Sequence, residues 1–185
     1  EPTQLEAVAD FAAKAYRRPL TSDETAGLHT LYEGLRKEGL LHDEAIRLTL
    51  ARLLVSPAFL YRIEAPVPGA GQGPISDWEL ASRLSYFLWA SEPDKELRQA
   101  AASGHLHELD ALATQVRRML SRANTRRLAT EFACHWLQID DFEHLDEKSD
   151  RHFPTFVGLR GAMAEESTLF FTDLFQHNGS VLDNL

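Results

Sequence analysis

Three groups of residues in this chain have types and spacings that could do chemistry. The first is the run "EFACHW", Glu131 to Trp136. A c-type haem is held by C-x-x-C-H, one thioether per cysteine and the histidine as axial ligand. Cys134 and His135 supply the second half of that pattern, but Glu131 stands where the first cysteine belongs. On a helical wheel His135 falls at the edge of the buried stripe and Cys134 nearly opposite its centre. The expectation is a free, buried or half-buried thiol with no haem attached. The second group is the histidines. His105 and His107 lie two apart in "GHLH", a spacing that suits a strand better than a helix start, and no H-E-x-x-H or C-x-x-C accompanies them. His29, His42, His144, His152 and His177 fall mostly at expected helix ends or loops, where capping is the commoner role. The third group is the pair Glu165 and Glu166. Glu165 falls on the polar side of its helix with Thr168 and Thr172, whereas Glu166 sits at the apolar rim beside Leu159 and Phe170. Arg47 and Arg83 are candidate partners for Glu166, and a structural ion pair is favoured over acid–base work. No serine sits in a G-x-S-x-G setting, and "GAGQG" (69–73) lacks the strand and helix of a dinucleotide fingerprint. No catalytic, cofactor-binding or metal-binding residue is therefore assigned, and no cofactor is expected in this segment.

The elements that must position these residues read as helices throughout. The chain has 185 residues, 44% of them apolar and 25% charged, with a net charge of −9. That describes a globular chain with a real core, long enough for one domain or two small ones. An acidic chain repels nucleic acid and anionic lipid unless it carries a local basic face. One cysteine excludes an internal disulfide. No apolar run approaches the roughly 20 residues that cross a bilayer. The start at Glu1 and the stop after "NGSVLDNL", which reads as a new helix beginning, suggest an excised or processed piece.

Three capping boxes, in which a serine or threonine and a glutamate three residues on satisfy each other's backbone N–H groups, mark helix starts at Thr3–Glu6, Thr21–Glu24 and Ser76–Glu79. The first helix is expected to bury Leu5, Val8, Ala9, Ala12 and Tyr16. The second carries Leu28, Leu31, Tyr32 and Leu35 and ends at Gly39. The third runs from about Asp43 to Val55 with Ile46, Leu50, Leu53 and Leu54 inward, and Pro57 stops it or opens a short new turn. Residues 65–75 hold three prolines and three glycines and read as a linker. Ser91 to Pro93 opens a helix that ends near Gly104. "ELDALATQVRRML" turns Leu109, Leu112, Val116 and Leu120 inward. Asn124 or Thr125 caps the next helix, where Leu128, Phe132, Trp136 and Ile139 share a face. The last long helix spans about 155–176 and ends with Gly179.

The helix after the linker is the most distinctive. From Trp78 to Ala90, Leu80, Leu84, Phe87 and Leu88 form one broad apolar face at about 100° per residue. Trp78, Ser82, Ser85 and Trp89 form a second. Glu79, Arg83 and Tyr86 leave a narrow polar wedge, with Glu79 one turn before Arg83 in the favourable order for a pair. A helix apolar on most of its circumference belongs inside a bundle, so core packing is favoured over a ligand groove lined by the tryptophans. Charge is segregated further on. Arg117, Arg118, Arg122, Arg126 and Arg127 are followed by Asp140, Asp141, Glu143, Asp146, Glu147 and Asp150. The two patches are expected to neutralise one another rather than bind nucleic acid.

Five stretches carry a family likeness: "RRPLTSDE" (17–24), "AIRLTLARLLVSPAFLYRIE" (45–64), "ISDWELASRLSYFLWASEPDKEL" (75–97), "QVRRML" (115–120) and "FPTFVGLRGAMAEESTLFF" (153–171). Together the chain resembles the paired helical domains of unknown function found in large planctomycete-type cytochrome c proteins. The resemblance implies an exported protein, periplasmic or at the cell surface, whose haem lies outside residues 1–185. It carries over no catalytic residue. The expected architecture is all-α: a small three-helix unit (1–64), a Pro/Gly linker (65–75) and a larger helical bundle (76–185) cut short at its C-terminus. The expected function is a scaffold or interaction module whose partners are other domains of the same parent chain, with no nucleic acid and no membrane span. The alternative is part of an exported oxidative or polysaccharide-acting enzyme completed by other modules. In that case Glu166, Arg83 and an open cleft at Trp78 or Trp89 would carry the site.

Overall fold

The computed structural model describes residues 2–62, 64, 73–139, 141–144, 148–149 and 151–180, with the side chains of Pro2, Thr3 and Glu143 excepted. All regular secondary structure among them is helical, as the sequence predicts. The helices are α1 (Pro2–Ala15), α2 (Ser22–Lys37), α3 (His42–Leu54), α4 (Pro57–Leu60), α5 (Asp77–Trp89), α6 (Lys95–Ala102), α7 (Leu109–Leu120), α8 (Arg126–Leu128) and α9 (Phe156–His177). A π-helical turn, Ala129–Cys134, continues α8. The chain forms two compact units, one from Glu1–Ser82 with Glu92–His105 and one from Arg83–Ser91 with Leu106–Leu185.

In the first unit, α1 and α2 both pack on α3. Ala12, Ala15 and Leu53 form the centre, with Tyr16, Leu20, Leu28 and Phe59 against them. Two of these three are alanines, so the helices approach closely. The α3 stripe is Ala45, Thr49 and Leu53, not Ile46, Leu50 and Leu54; Leu54 is exposed. Thr49 satisfies its buried hydroxyl by donating to the Ala45 carbonyl at 2.8 Å. The capping box of α2 is present: the Glu24 N–H donates to Thr21 Oγ1 at 3.1 Å, and the Thr21 N–H to Glu24 Oε2 at 2.8 Å. Gly39, at φ 93°, ends that helix as expected. Ser56 and Pro57 open the single turn α4. The Ser76–Glu79 box is present at the start of α5. Asp94, not Ser91, caps α6 by accepting the Leu97 N–H at 2.8 Å. The box expected at Thr3 and the linker residues 65–72 lie outside the described residues.

Arg17 finishes this unit. Its backbone turns left-handed, at φ 60°, just after α1. Its buried guanidinium donates to the carbonyls of Ala15 (3.1 Å), Ala58 (2.7 Å), Phe59 (3.4 Å) and Tyr61 (3.0 Å). These include carbonyls at the end of α4 that have no partner within the helix.

In the second unit, Trp89 is 4% exposed and its Nε1–H donates to the Met119 carbonyl at 3.1 Å. Leu88, Leu106, Met119 and Leu128 are buried in the same unit. The expected inward face of α5 is corrected at Phe87, which is exposed. Ala81, Ser85, Leu88 and Trp89 are the buried positions. In α7 Met119 is the fully buried residue, and Leu109, at the helix start, is exposed. Thr125 takes the N-cap position of α8 but makes no side-chain cap bond there. It is fully buried and donates its hydroxyl to the Leu120 carbonyl at 2.7 Å, closing the end of α7. The left-handed residue that closes α9 is Asn178, one position before the expected Gly179.

Candidate functional site

Of the stretch "EFACHW", Glu131 to Cys134 lie on the π turn and His135 and Trp136 follow it directly. Uniform helical spacing puts Leu128, Phe132, Trp136 and Ile139 on one face. A π turn adds a residue to the helical turn and rotates all that follows. The buried residues are therefore Leu128, Ala129, Ala133 and Cys134, while Phe132, His135 and Trp136 face solvent. Cys134 is the buried free thiol the sequence leads one to expect, but its wheel position opposite the buried stripe, and that of His135 at the stripe's edge, are reversed by the π turn. The alanines let α9 approach the π turn, which is its principal packing partner. At the contact, Cys134 Sγ lies 3.7 Å from Thr168 Oγ1, both side chains being buried.

Beside that contact is a polar cleft of about 460 Å³. Arg126, Glu131 and His135 line it from α8 and the π turn, His144 from the segment that follows, and Glu165 and Thr168 from α9. Arg126 meets Glu165 in a two-pronged pair at 2.9 and 2.5 Å. The hydrogen bonds from Arg126 hold the Glu165 carboxyl below its ordinary value, and the same bonds raise the guanidinium. Both groups are open to solvent. Arg126 is the one guanidinium among the described residues of the cleft wall, so an incoming anion would have to displace Glu165 from it. His144 sits 3.2 Å from Asp141. Among the described residues, no three His, Cys, Asp or Glu side chains converge as an ion would require.

The remaining sequence candidates scatter. Glu165, rather than Glu166, has the arginine. Glu166 is exposed and makes no ion pair among the described residues. Arg47 pairs loosely with Glu44 at 3.7 Å. His105 and His107 are exposed between α6 and α7. Trp78 is half-buried, and Trp89 belongs to the core rather than to an open cleft. The basic run is used piecemeal. Arg126 pairs with Glu165, the Arg118 guanidinium lies 5.7 Å from the Trp89 ring centre, and Arg127 donates to the Trp89 carbonyl at 3.4 Å. Its expected neutralisation by the acidic run falls largely on residues outside those described, Asp140, Asp146, Glu147 and Asp150 among them.

Sequence reasoning missed a surface feature of the same unit. Phe87, Phe132 and Trp136 form an exposed aromatic row. Phe87 meets Phe132 edge-on at 6.5 Å between ring centres, and Phe132 lies nearly parallel to Trp136 at 6.4 Å. Trp136 is 70% exposed. The i,i+4 spacing of Phe132 and Trp136 was visible, but only the π turn decides which way it points.

Among the described residues the chain is all-α, with the cleft arginine already paired and an aromatic row on the surface. Residues 75–185 match the family described as "Protein of unknown function (DUF1592)", and the chain belongs to that family. Residues 5–64 match a second, "Protein of unknown function (DUF1595)", so paired domains of unknown function follow one another here. No curated protein and no solved structure matches the chain. No helix among the described residues is long and apolar enough to cross a membrane.

Proposed function

We propose that this chain is a helical scaffold or interaction module of an exported, cytochrome c-associated multidomain protein of planctomycete type. Its partners are other domains of the parent polypeptide. The observation that carries the interaction reading is the exposed row Phe87, Phe132 and Trp136. Large aromatic side chains clustered on a surface mark contact sites, because each buries extensive apolar area at little cost in side-chain freedom. The use of Trp89 inside the core supports a packing role for the rest of α5. The cytochrome association and export rest on the family likeness of the five stretches alone, since both matched families are described only as of unknown function. In this reading the module carries no haem of its own, and the haem belongs to another domain.

The test compares the parent polypeptide with the 185-residue chain by hydroxyl-radical footprinting. Phe87, Phe132 and Trp136 are expected to be oxidised in the isolated chain and shielded in the parent. Equal oxidation in both rejects the interaction reading. Visible spectra of the parent with and without reductant should show the bands of a c-type haem, and their absence rejects the cytochrome association.

A further inference from the structure

The outward side of α9 is a second apolar surface of the same unit, separate from the aromatic row. Along α9 apolar residues fall on more than one side of the helix, so a single packed face does not use them all. Yet only Thr168 is buried, and Val157, Leu159, Met163 and Leu169 are 50%, 51%, 42% and 54% exposed. Leu159, Met163, Glu166 and Phe170 follow one another at intervals of four, three and four, the spacing of a seam that receives a second helix. Asp173 and His177 continue it and pair with each other at 2.9 Å. Glu165, one residue away, is held by Arg126. Glu166 is thus an exposed carboxylate without an ion-pair partner among the described residues, set between Met163 and Phe170.

We propose that this seam docks an amphipathic helix that places a lysine or arginine opposite Glu166 and apolar residues against Leu159, Met163 and Phe170. The charge of the seam selects that occupant. A carboxylate enclosed by an apolar contact is costly unless a cation meets it. A second copy of this chain is the wrong partner, because its own seam is acidic and the chain carries −9. The inference rests on reading the chain as an interaction module and names one kind of partner for it.

Two synthetic three-heptad helical peptides provide the probe. Both carry leucine at the seam positions, and the flanking positions are lysine in one and glutamate in the other. Fluorescence anisotropy with the 185-residue chain should show saturable binding of the lysine peptide and none of the glutamate peptide. Glu166→Lys should weaken the lysine peptide about tenfold, the effect of one well-placed charge, and admit the glutamate peptide. Leu159→Ser with Met163→Ser should abolish binding while circular dichroism stays unchanged. The inference is overturned if neither peptide binds, if the lysine peptide binds wild type and Glu166→Lys alike, or if the wild-type chain sediments as a dimer that the serine pair dissociates. Footprinting at Phe132 and Trp136 in the parent reads the module independently, so failure of the peptides leaves that result standing.

Discussion

Arg17 and Arg18 are neighbours of one type, and their surroundings give them different work. Arg17 is buried and spreads its planar fork over four carbonyls of two segments. Lysine has a single charged nitrogen and cannot span them. Arg18 holds Glu24 in a two-pronged pair at 2.8 Å on each side, but it is 38% exposed. Urea unfolding at neutral pH is expected to show Arg17→Lys less stable by about 2–3 kcal/mol, since bonds from a buried charged donor are lost. Arg18→Lys should fall within about 1 kcal/mol of wild type after solvent screening. The pH profile separates the two sites. The hydrogen bond from Arg18, foremost, lowers the Glu24 carboxyl from 4.5 to about 2 in the folded chain. A lowered folded value means the pair stabilises fully above the ordinary value and is lost as pH falls from about 4.5 toward 2. Glu24→Gln should flatten that acid limb, whereas Arg17→Lys should shift the whole curve downward. Equal losses for the two lysine variants would contradict this assignment.

At the scale of the helix, starts and stops were legible and faces were only partly so. The Thr21–Glu24 and Ser76–Glu79 boxes, Gly39 and Pro57 each act through local chemistry, so they can be read without knowing the neighbours. Faces depend on what packs against them. In α3 the small residues Ala45 and Thr49 take the closest approach, and a reading that counts only large apolar side chains misses them. In α9 apolar residues fall on more than one side, so the pattern does not single one out. The candidate site was least legible, because a wheel assumes one pitch and the π turn breaks it between Leu128 and Trp136. Tryptophan fluorescence tests that register. Acrylamide should quench Trp136 readily, and Trp136→Phe should remove most of the accessible signal. Trp89→Phe should instead remove a protected component. It should also cost about 1 kcal/mol, because the Met119 carbonyl loses one of its hydrogen bonds while those from the Thr125 hydroxyl and the Arg122 N–H remain. Ready quenching of Trp89, or protection of Trp136, would return the chain to the uniform-helix register.

For the molecule as a whole, charge decides more about partners than any single cleft does. Five arginines between Arg117 and Arg127 look like a nucleic-acid stripe, but the surface has to be weighed with its neutralising contacts. Arg126 is bound by Glu165, and Arg118 and Arg127 are drawn to Trp89. Affinity for duplex DNA scales with the number of phosphates that free cations neutralise. Against a net charge of −9 and a pI near 5.3, the arginines of this run do not make a continuous basic face. A mobility-shift titration at about 50 mM salt, where such electrostatic binding is strongest, is therefore expected to show no complex with duplex DNA. Removing the Glu165 carboxylate supplies the control, because Glu165→Gln frees Arg126 and makes the chain one unit less acidic. If wild type forms a salt-sensitive complex that Arg117→Gln and Arg122→Gln weaken, the arginines are a binding stripe after all. If the Glu165→Gln variant also stays unbound, freeing Arg126 by one charge is too little to overcome the acidic field of the whole chain.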